Sequence, residues 1–281
     1  MTSIATTAII LTLNEELHLR RCIESVKTIC DQIIIVDSGS TDATREISDE
    51  CGAEFVYHPW PGYQAAQFNW ALANCNIKGQ WIIRLDADEY LLPELTREIK
   101  AKLASIQPNI TGVYLRRRVY FKGKFIRFGG FYPIKLLRLF RAGKGLYEDV
   151  QMDEHIILSE GNTITLQNDF VDENLNNIEW WIAKHNNYSS REVRFFHTGD
   201  NVITESIGGT QEKRKRWYKQ NLYYVLPPFF RAFLYFLFRY FLLLGFLDGR
   251  RGLIWHFLQA CWYRFVVDVK IMEQKSSASK S

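Results

Sequence analysis

Apolar runs alternate with helically spaced segments over the first hundred positions. Ala8–Leu13 (AIILTL), Gln32–Val36 (QIIIV), Glu54–Tyr57 and Trp81–Leu85 (WIIRL) read as strands. Between them, Glu15–Lys27 places Leu17, Cys22, Ile23 and Val26 at helical spacing, and helices are predicted from about Thr41 to Cys51 and over Gln64–Asn74. Continuously apolar strands separated by helices predict a parallel sheet covered on both faces, an α/β nucleotide-binding type of architecture. Its ligand site is expected in the loops at the carboxyl ends of the strands.

The pattern changes after about residue 110. Gly112–Phe121 and Lys135–Arg141 read as strands in a more antiparallel layout, joined by a turn at Gly129-Gly130, and a helix is predicted over Leu175–Val193. Residues 195–212 read as loop. From Trp217 onward the chain is dense in aromatic residues, and Gln274–Ser281 reads as a disordered polar tail. These shifts divide the chain into a catalytic domain over 1–212, a helical region over 213–273 and the tail over 274–281. Within the catalytic domain, residues 1–110 form a nucleotide-binding half and 111–212 an acceptor half.

Composition narrows the class. At 281 residues, with 47% hydrophobic and 23% charged, the chain has enough apolar material for a core and is neither disordered nor a polytopic transporter. A net charge of +4 is too weak to argue for nucleic acid as a partner. The basic residues are concentrated, however: Gly112–Tyr147 contains no Asp or Glu but includes Arg116, Arg117, Arg118, Arg138, Arg141 and Lys144. That stretch is expected to meet acceptor phosphates or lipid headgroups. Five cysteines without a CxxC pair fit a reducing compartment, and the apolar run Ala5–Leu13 lacks the basic flank of a secretory signal.

Three predicted strand ends carry acids: Thr12-Leu13-Asn14-Glu15-Glu16, Asp37-Ser38-Gly39-Ser40-Thr41-Asp42 and Asp86-Ala87-Asp88-Glu89. In a parallel sheet they emerge at one edge, where repulsion must be offset by a cation or by hydrogen-bond donors. Asp86 and Asp88, two apart at a strand end, are predicted to share a face. Two such carboxylates suit a hard divalent ion completed by water and phosphate oxygens. Asp37 is placed to accept from a base or ribose, Gly39 to let backbone approach a ligand, and Asp42 to cap the next helix.

Together with GFLDGRRG at Gly245–Gly252, the segments TLNEE, VDSGSTD, Gln64–Ala71 and WIIRLDADE resemble family 2 glycosyltransferases of the GT-A fold. The resemblance is to the bacterial branch that adds sugars to lipopolysaccharide core or other lipid-linked envelope glycans. It implies that Thr12, Glu15 and Asp37 hold the nucleoside of a sugar nucleotide, with Asn14 and Gly39 in the same set. It further implies that Asp86 lies near ribose and diphosphate and that Asp88 binds Mg2+ or Mn2+. Inversion by direct displacement is implied too, with a carboxylate as base. Alignment puts Glu154 at the family position, and Asp149 and Asp153 remain alternatives. His155 is a candidate neighbour, while Gln211–Trp217 lacks the spacing of the QxxRW element of processive synthases.

The aromatic region sets the expected location. Val225–Leu247 is interrupted by Arg231 and Arg239, which lie ~12 Å apart along a helix and about 80° apart around it. This fits a helix lying in the bilayer interface with its arginines reaching for headgroups, assisted by the basic residues within Lys213–Lys219. The expectation is therefore a peripheral or monotopic enzyme on the cytoplasmic face of the bacterial inner membrane. It would move a sugar from a nucleotide-sugar donor, a UDP-sugar, to a lipid-linked glycan. The alternatives are transfer to a polyprenyl phosphate and a non-catalytic scaffold that kept the fold.

Overall fold

The computed structural model describes residues 5–148, 155–198, 223 and 225–278. It divides into one unit formed by Met1–Tyr120 and Pro133–Leu175 and a second formed by Phe121–Tyr132 and Asn176–Ser281. The boundary expected at 212 lies outside the described residues, and the first unit ends at Leu175. The second unit takes in the short segment around Gly129-Gly130, although most of the strands that flank it in sequence belongs to the first.

In the first unit, β1 (Thr6–Thr12) lies between β2 (Gln32–Asp37) and β4 (Trp81–Asp86), parallel to both, and β3 (Glu54–Tyr57) extends the parallel set beyond β2. The register pairs Thr12 with Asp37 and Leu11 with Asp86, so the three acidic loops leave the sheet level with one another. Every residue of β1 and β2 is buried, which is why these strands read as unbroken apolar runs. Alternate residues serve opposite faces. Ile10, Ile35 and Ile83 join α1 (Leu19–Val26) and α4 (Pro93–Leu103) in one core, and Ile9, Ile34 and Ile82 join α3 (Gln64–Asn74) in the other. Each fully buried side chain of this size contributes ~1.5–3 kcal/mol.

Beyond β4 the sheet turns antiparallel. β8 (Ile134–Arg141) pairs antiparallel with β4 and with β6 (Ile110–Phe121). β11 (Asn162–Glu173) runs parallel to β6, and β5 (Glu89–Leu91) closes the far edge against it. The sheet order is β3-β2-β1-β4-β8-β6-β11-β5. β9 (Gly145–Tyr147) and β10 (Ile156–Leu158) form a separate hairpin. Part of the acid-free window is neutralised: Arg116 and Arg118 pair with Asp169, Arg117 with Asp172 and Lys144 with Glu160, all acids that lie beyond the window in sequence, while Lys122, Lys124, Arg127 and Lys135 are exposed.

In the second unit, α5 (Ile178–Thr198) packs along α8 (Tyr263–Ala278) through Val193, Val267 and Ile271. The Tyr263 hydroxyl and the Arg264 guanidinium both donate to Glu192, each at 2.7 Å. Between them lie α6 (Phe230–Leu237) and α7 (Gly249–His256), with wider helical turns over Phe238–Leu242 and Phe257–Trp262. Trp181, Trp255 and Trp262 cluster, and Phe121 and Phe131 close on Trp255, so part of the aromatic excess is core. The segment carrying β7 (Lys124–Ile126) is pinned there: Asp248 accepts from the Arg127 and Phe128 amides, and Gly129 donates to the Leu243 carbonyl. Gly129 has φ of +66°, and an added Cβ would sit 2.1 Å from a ring atom of His256. The helix α8 continues through the first residues of the tail predicted to be disordered, up to Ala278, because Gln, Lys and Ala are good helix formers.

Candidate active site

The loop after β1 and the loop after β2 are interlocked. Asn14 takes a left-handed conformation (φ 56°), which its short polar side chain tolerates, and its Oδ1 accepts from the Thr41 amide at 2.8 Å. The Asn14, Glu15 and Glu16 amides donate to Ser40, Thr44 and Asp42 in turn. Glu15 also binds inward. The Leu175 amide donates to His18 Nε2, so the proton of this buried ring sits on Nδ1, 2.7 Å from the Glu15 carboxylate. His18 was not singled out in the sequence, and its only signal is the i, i+3 spacing from Glu15.

Asp37 is the keystone of the second loop. Its two oxygens accept from the Thr12 and Ser40 hydroxyls at 2.8 and 2.5 Å and from the Gly39 and Ser40 amides at 2.8 Å each. Those four donors match the lone-pair capacity of a carboxylate. Gly39 provides the turn with φ of +106°, and the Tyr57 ring lies over it. Asp42 accepts from the Thr44 amide and hydroxyl at the start of α2 (Thr44–Glu50), where the N-cap position itself is Ala43.

The third loop sits on a buried charge cluster. Arg84, almost fully buried, forks onto both oxygens of Asp86 at 2.7 and 2.5 Å. Arg138 donates to Glu89 and reaches Asp86 at 3.5 Å, and Glu89 accepts from the Asp86 amide at 3.0 Å. The Tyr147 ring covers Arg84 at 5.5 Å, and Tyr147 is tied through its backbone to Asn69 on α3. Burial raises the Glu89 carboxyl to about 7 despite Arg138, with Asp86 adding to the rise. For Arg84, burial opposes its charge, but Asp86 outweighs it and holds the pKa above the ordinary value. The strand alternation behind a shared Asp86–Asp88 face ends at Asp86. Asp88 lies in the turn before β5 and bonds to the Asn174 amide nitrogen at 3.0 Å. Its other oxygen meets no protein donor among the described residues.

A sequence profile of glycosyl transferase family 2 matches residues 7–151, which takes in all three loops and the strands that carry them. The chain belongs to glycosyl transferase family 2. Its mixed α/β sheet is the GT-A fold, as the motifs implied. Among curated proteins, this family 2 chain is 39% identical over 165 residues to the lipopolysaccharide core biosynthesis glycosyltransferase LpsC of Rhizobium meliloti, over 55% of this chain and 57% of that protein. It is 46% identical over 98 residues to an uncharacterized glycosyltransferase of Rickettsia bellii, over 35% of this chain and 32% of that protein. The matches thus span little more than half the length of the first relative and a third of the second. Among solved structures, glucosyl-3-phosphoglycerate synthase from Mycobacterium tuberculosis with Mn2+ and UDP-glucose is 22% identical, over 41% of this chain and 44% of that one, with a TM-score of 0.34.

For a family 2 chain the cation question turns on Asp88. Among the described residues no three His, Cys, Asp or Glu side chains converge on an all-protein metal cage. Asp86 is occupied by Arg84, whereas Asp88 is partly exposed with one oxygen available. A single carboxylate fits an octahedral Mg2+ or Mn2+ whose other ligands are phosphate oxygens and water. The three base candidates, Asp149, Asp153 and Glu154, lie outside the described residues, as do the basic residues Lys213–Lys219 and the Gln211–Trp217 element. Arg84 and Glu89 were legible only as letters beside the DxD pair, and Arg138 only as one of the basic residues of the acid-free window: an arginine inside the apolar strand, two residues before the pair, is the one local signal.

Proposed function

We propose that this chain is an inverting glycosyltransferase that moves a sugar from a UDP-sugar to a hydroxyl of a lipid-linked saccharide, of the lipopolysaccharide-core kind. The observation that carries the reading is the contrast among the edge carboxylates. Asp37 and Asp86 are engaged by protein donors, while Asp88 presents an open oxygen in the turn after β4. Family membership and the 39% identity to LpsC support the same direction. Bound at Asp88, Mg2+ or Mn2+ would supply positive charge to the departing diphosphate.

The chain's own residues then have distinct tasks. Asp37, with Thr12, Asn14, Glu15 and Gly39, sets the two interlocked loops against which the nucleoside rests. Arg84 and Arg138 hold Asp86 in place beneath the ribose and diphosphate. The acceptor oxygen forms its bond to the anomeric carbon as the bond to the diphosphate breaks. The acceptor proton passes to a carboxylate, Glu154 in the first instance with Asp149 and Asp153 as alternatives. We place the enzyme on the cytoplasmic face of the inner membrane, where such an acceptor is held.

Incubation with individual sugar nucleotides and a membrane extract as acceptor tests the proposal. Transfer of sugar from one UDP-sugar into the lipid fraction is expected. Glu154→Gln is expected to lower kcat by at least about a hundredfold. Near-normal turnover in that variant would instead point to a phosphate acceptor or to one of the other two carboxylates. Failure of every sugar nucleotide to be bound would defeat the proposal.

A further inference from the structure

Within the second unit, Phe230–Leu242 and Gly245–Ser276 form two helical arms that meet at 73°. No single helix among the described residues is long and apolar enough to cross a membrane, but this bent pair has the length and composition of a broken span or re-entrant element. The first arm is thirteen residues, ~20 Å of helix against a hydrocarbon core of ~30 Å. Around the bend, Phe238, Phe241, Leu242, Leu244, Phe246 and Leu247 are exposed, Leu242 at 73%. Phe241–Leu247 (FLLLGFL) has no polar side chain at all.

The arginines of the first arm do not reach outward. Arg231 is buried and its Nε donates to both oxygens of Asp268, at 3.0 and 3.1 Å, while the Phe229 amide caps the same carboxylate at 2.8 Å. Arg239 donates to the Gly129 carbonyl at 2.6 Å and to the Tyr235 hydroxyl, and its guanidinium lies 3.7 Å over the Phe131 ring. This corrects the interfacial helix with headgroup-seeking arginines: the side expected to be cationic is turned into the protein. Just past the bend, Arg250 and Arg251 are exposed.

We propose that the bend Phe238–Leu247 is inserted into one leaflet of the bilayer, with Arg250 and Arg251 at the level of anionic headgroups. This rests on the membrane location proposed above and adds the mode of attachment. Three observations favour lipid as the occupant. Seven consecutive residues without a hydrogen-bonding side chain suit a medium that offers no hydrogen bonds, whereas protein interfaces intersperse them. The two arginines of the first arm are hydrogen-bonded inward, Arg231 to Asp268 and Arg239 to the Gly129 carbonyl and the Tyr235 hydroxyl, so neither is offered to the surface that the bend exposes. The exposed Arg250–Arg251 pair adjoining the apolar bend complements a negatively charged surface.

Flotation of the full chain with phosphatidylcholine vesicles, with and without phosphatidylglycerol, provides the test. The chain is expected to float with both, more strongly with the anionic vesicles, and to stay bound in about 1 M NaCl, where charges are screened beyond ~3 Å. Leu242→Asp and Phe246→Asp are each expected to lower partitioning at least about tenfold, with circular dichroism and UDP binding unchanged. A phospholipid carrying a photoreactive group on its acyl chain is expected to label peptides within 238–247, a readout that needs no variant. Complete release by salt would overturn insertion while leaving the membrane location standing, and absence of flotation would overturn both. Unchanged flotation of the Asp variants, labelling confined to other segments, or a concentration-dependent dimer that the variants abolish would each overturn insertion as well.

Discussion

The two units treat buried charge in opposite ways. Beneath the loop edge of the first, Arg84, Asp86, Arg138 and Glu89 share one cluster, and the adjoining turn keeps Asp88 open. In the second, the buried Arg231 and Asp268 neutralise each other, with the Phe229 amide also donating to Asp268, and the residues around the bend are left apolar. The same device, a guanidinium on a carboxylate, therefore positions a polar edge in one region and clears charge from an apolar surface in the other. What differs is the surroundings. A cluster with two carboxylates and two guanidinia can absorb a change in protonation, while one buried carboxylate that loses its single guanidinium keeps an uncompensated charge.

That contrast can be broken by substitution. Arg231→Met strands Asp268, which is 2% exposed, and is expected to cost about 3–5 kcal/mol in urea denaturation. Arg231→Met combined with Asp268→Leu is expected to recover most of that loss. In the first unit, Arg138→Met leaves Glu89 able to take up a proton, since its carboxyl already stands at about 7. The loss there is expected to be smaller, about 1–3 kcal/mol. Equal losses for the two arginines would erase the distinction. Gly129→Ala, which combines φ of +66° with a clash against His256, is expected to cost ~2–3 kcal/mol in the same assay.

The second unit should also show a histidine-dependent acid sensitivity. His185 is stacked on Trp181, donates from Nδ1 to the Trp181 carbonyl and accepts from Gln259, and burial lowers it to about 4. The folded state then binds fewer protons than the unfolded state between about 6.5 and about 4. Stability is expected to fall as pH drops through that window and to be insensitive to this group above it. Replacing His185 by Gln should remove that part of the slope of urea midpoint against pH. The smallest expected effect is at the exposed Lys78–Glu54 pair of the first unit, where Lys78→Ala should change stability by less than about 0.5 kcal/mol.

The parallel half of the fold was legible because β1, β2 and β4 are buried on both faces and so appear as unbroken apolar runs. β11 was not: Asn162–Glu173 mixes Thr, Gln, Asn and Asp with its apolar positions, and its acids serve the arginines of β6. The partial neutralisation of the basic window was hidden for the same reason, since the acids that pair with Arg116, Arg117, Arg118 and Lys144 lie beyond it in sequence. At the candidate site, residue types and loop positions were visible, but hydrogen-bond saturation was not. Nothing in the letters VDSGSTD shows that Asp37 takes four donors, or that Arg84 rather than a cation engages Asp86. The tail's aromatic residues divide between core and the exposed bend, and its arginines turn inward because Asp268 and the Gly129 carbonyl accept from them within the unit.

The central claim is that the turn after β4 keeps Asp88 open for a cation and the donor diphosphate. Calorimetric titration of UDP with and without Mn2+, on the parent chain and on Asp88→Ala, tests it directly. The account predicts Mn2+-dependent UDP binding by the parent, weakened at least about tenfold in Asp88→Ala with folding stability unchanged. UDP binding that ignores Mn2+, or that is equally tight in Asp88→Ala, would contradict it.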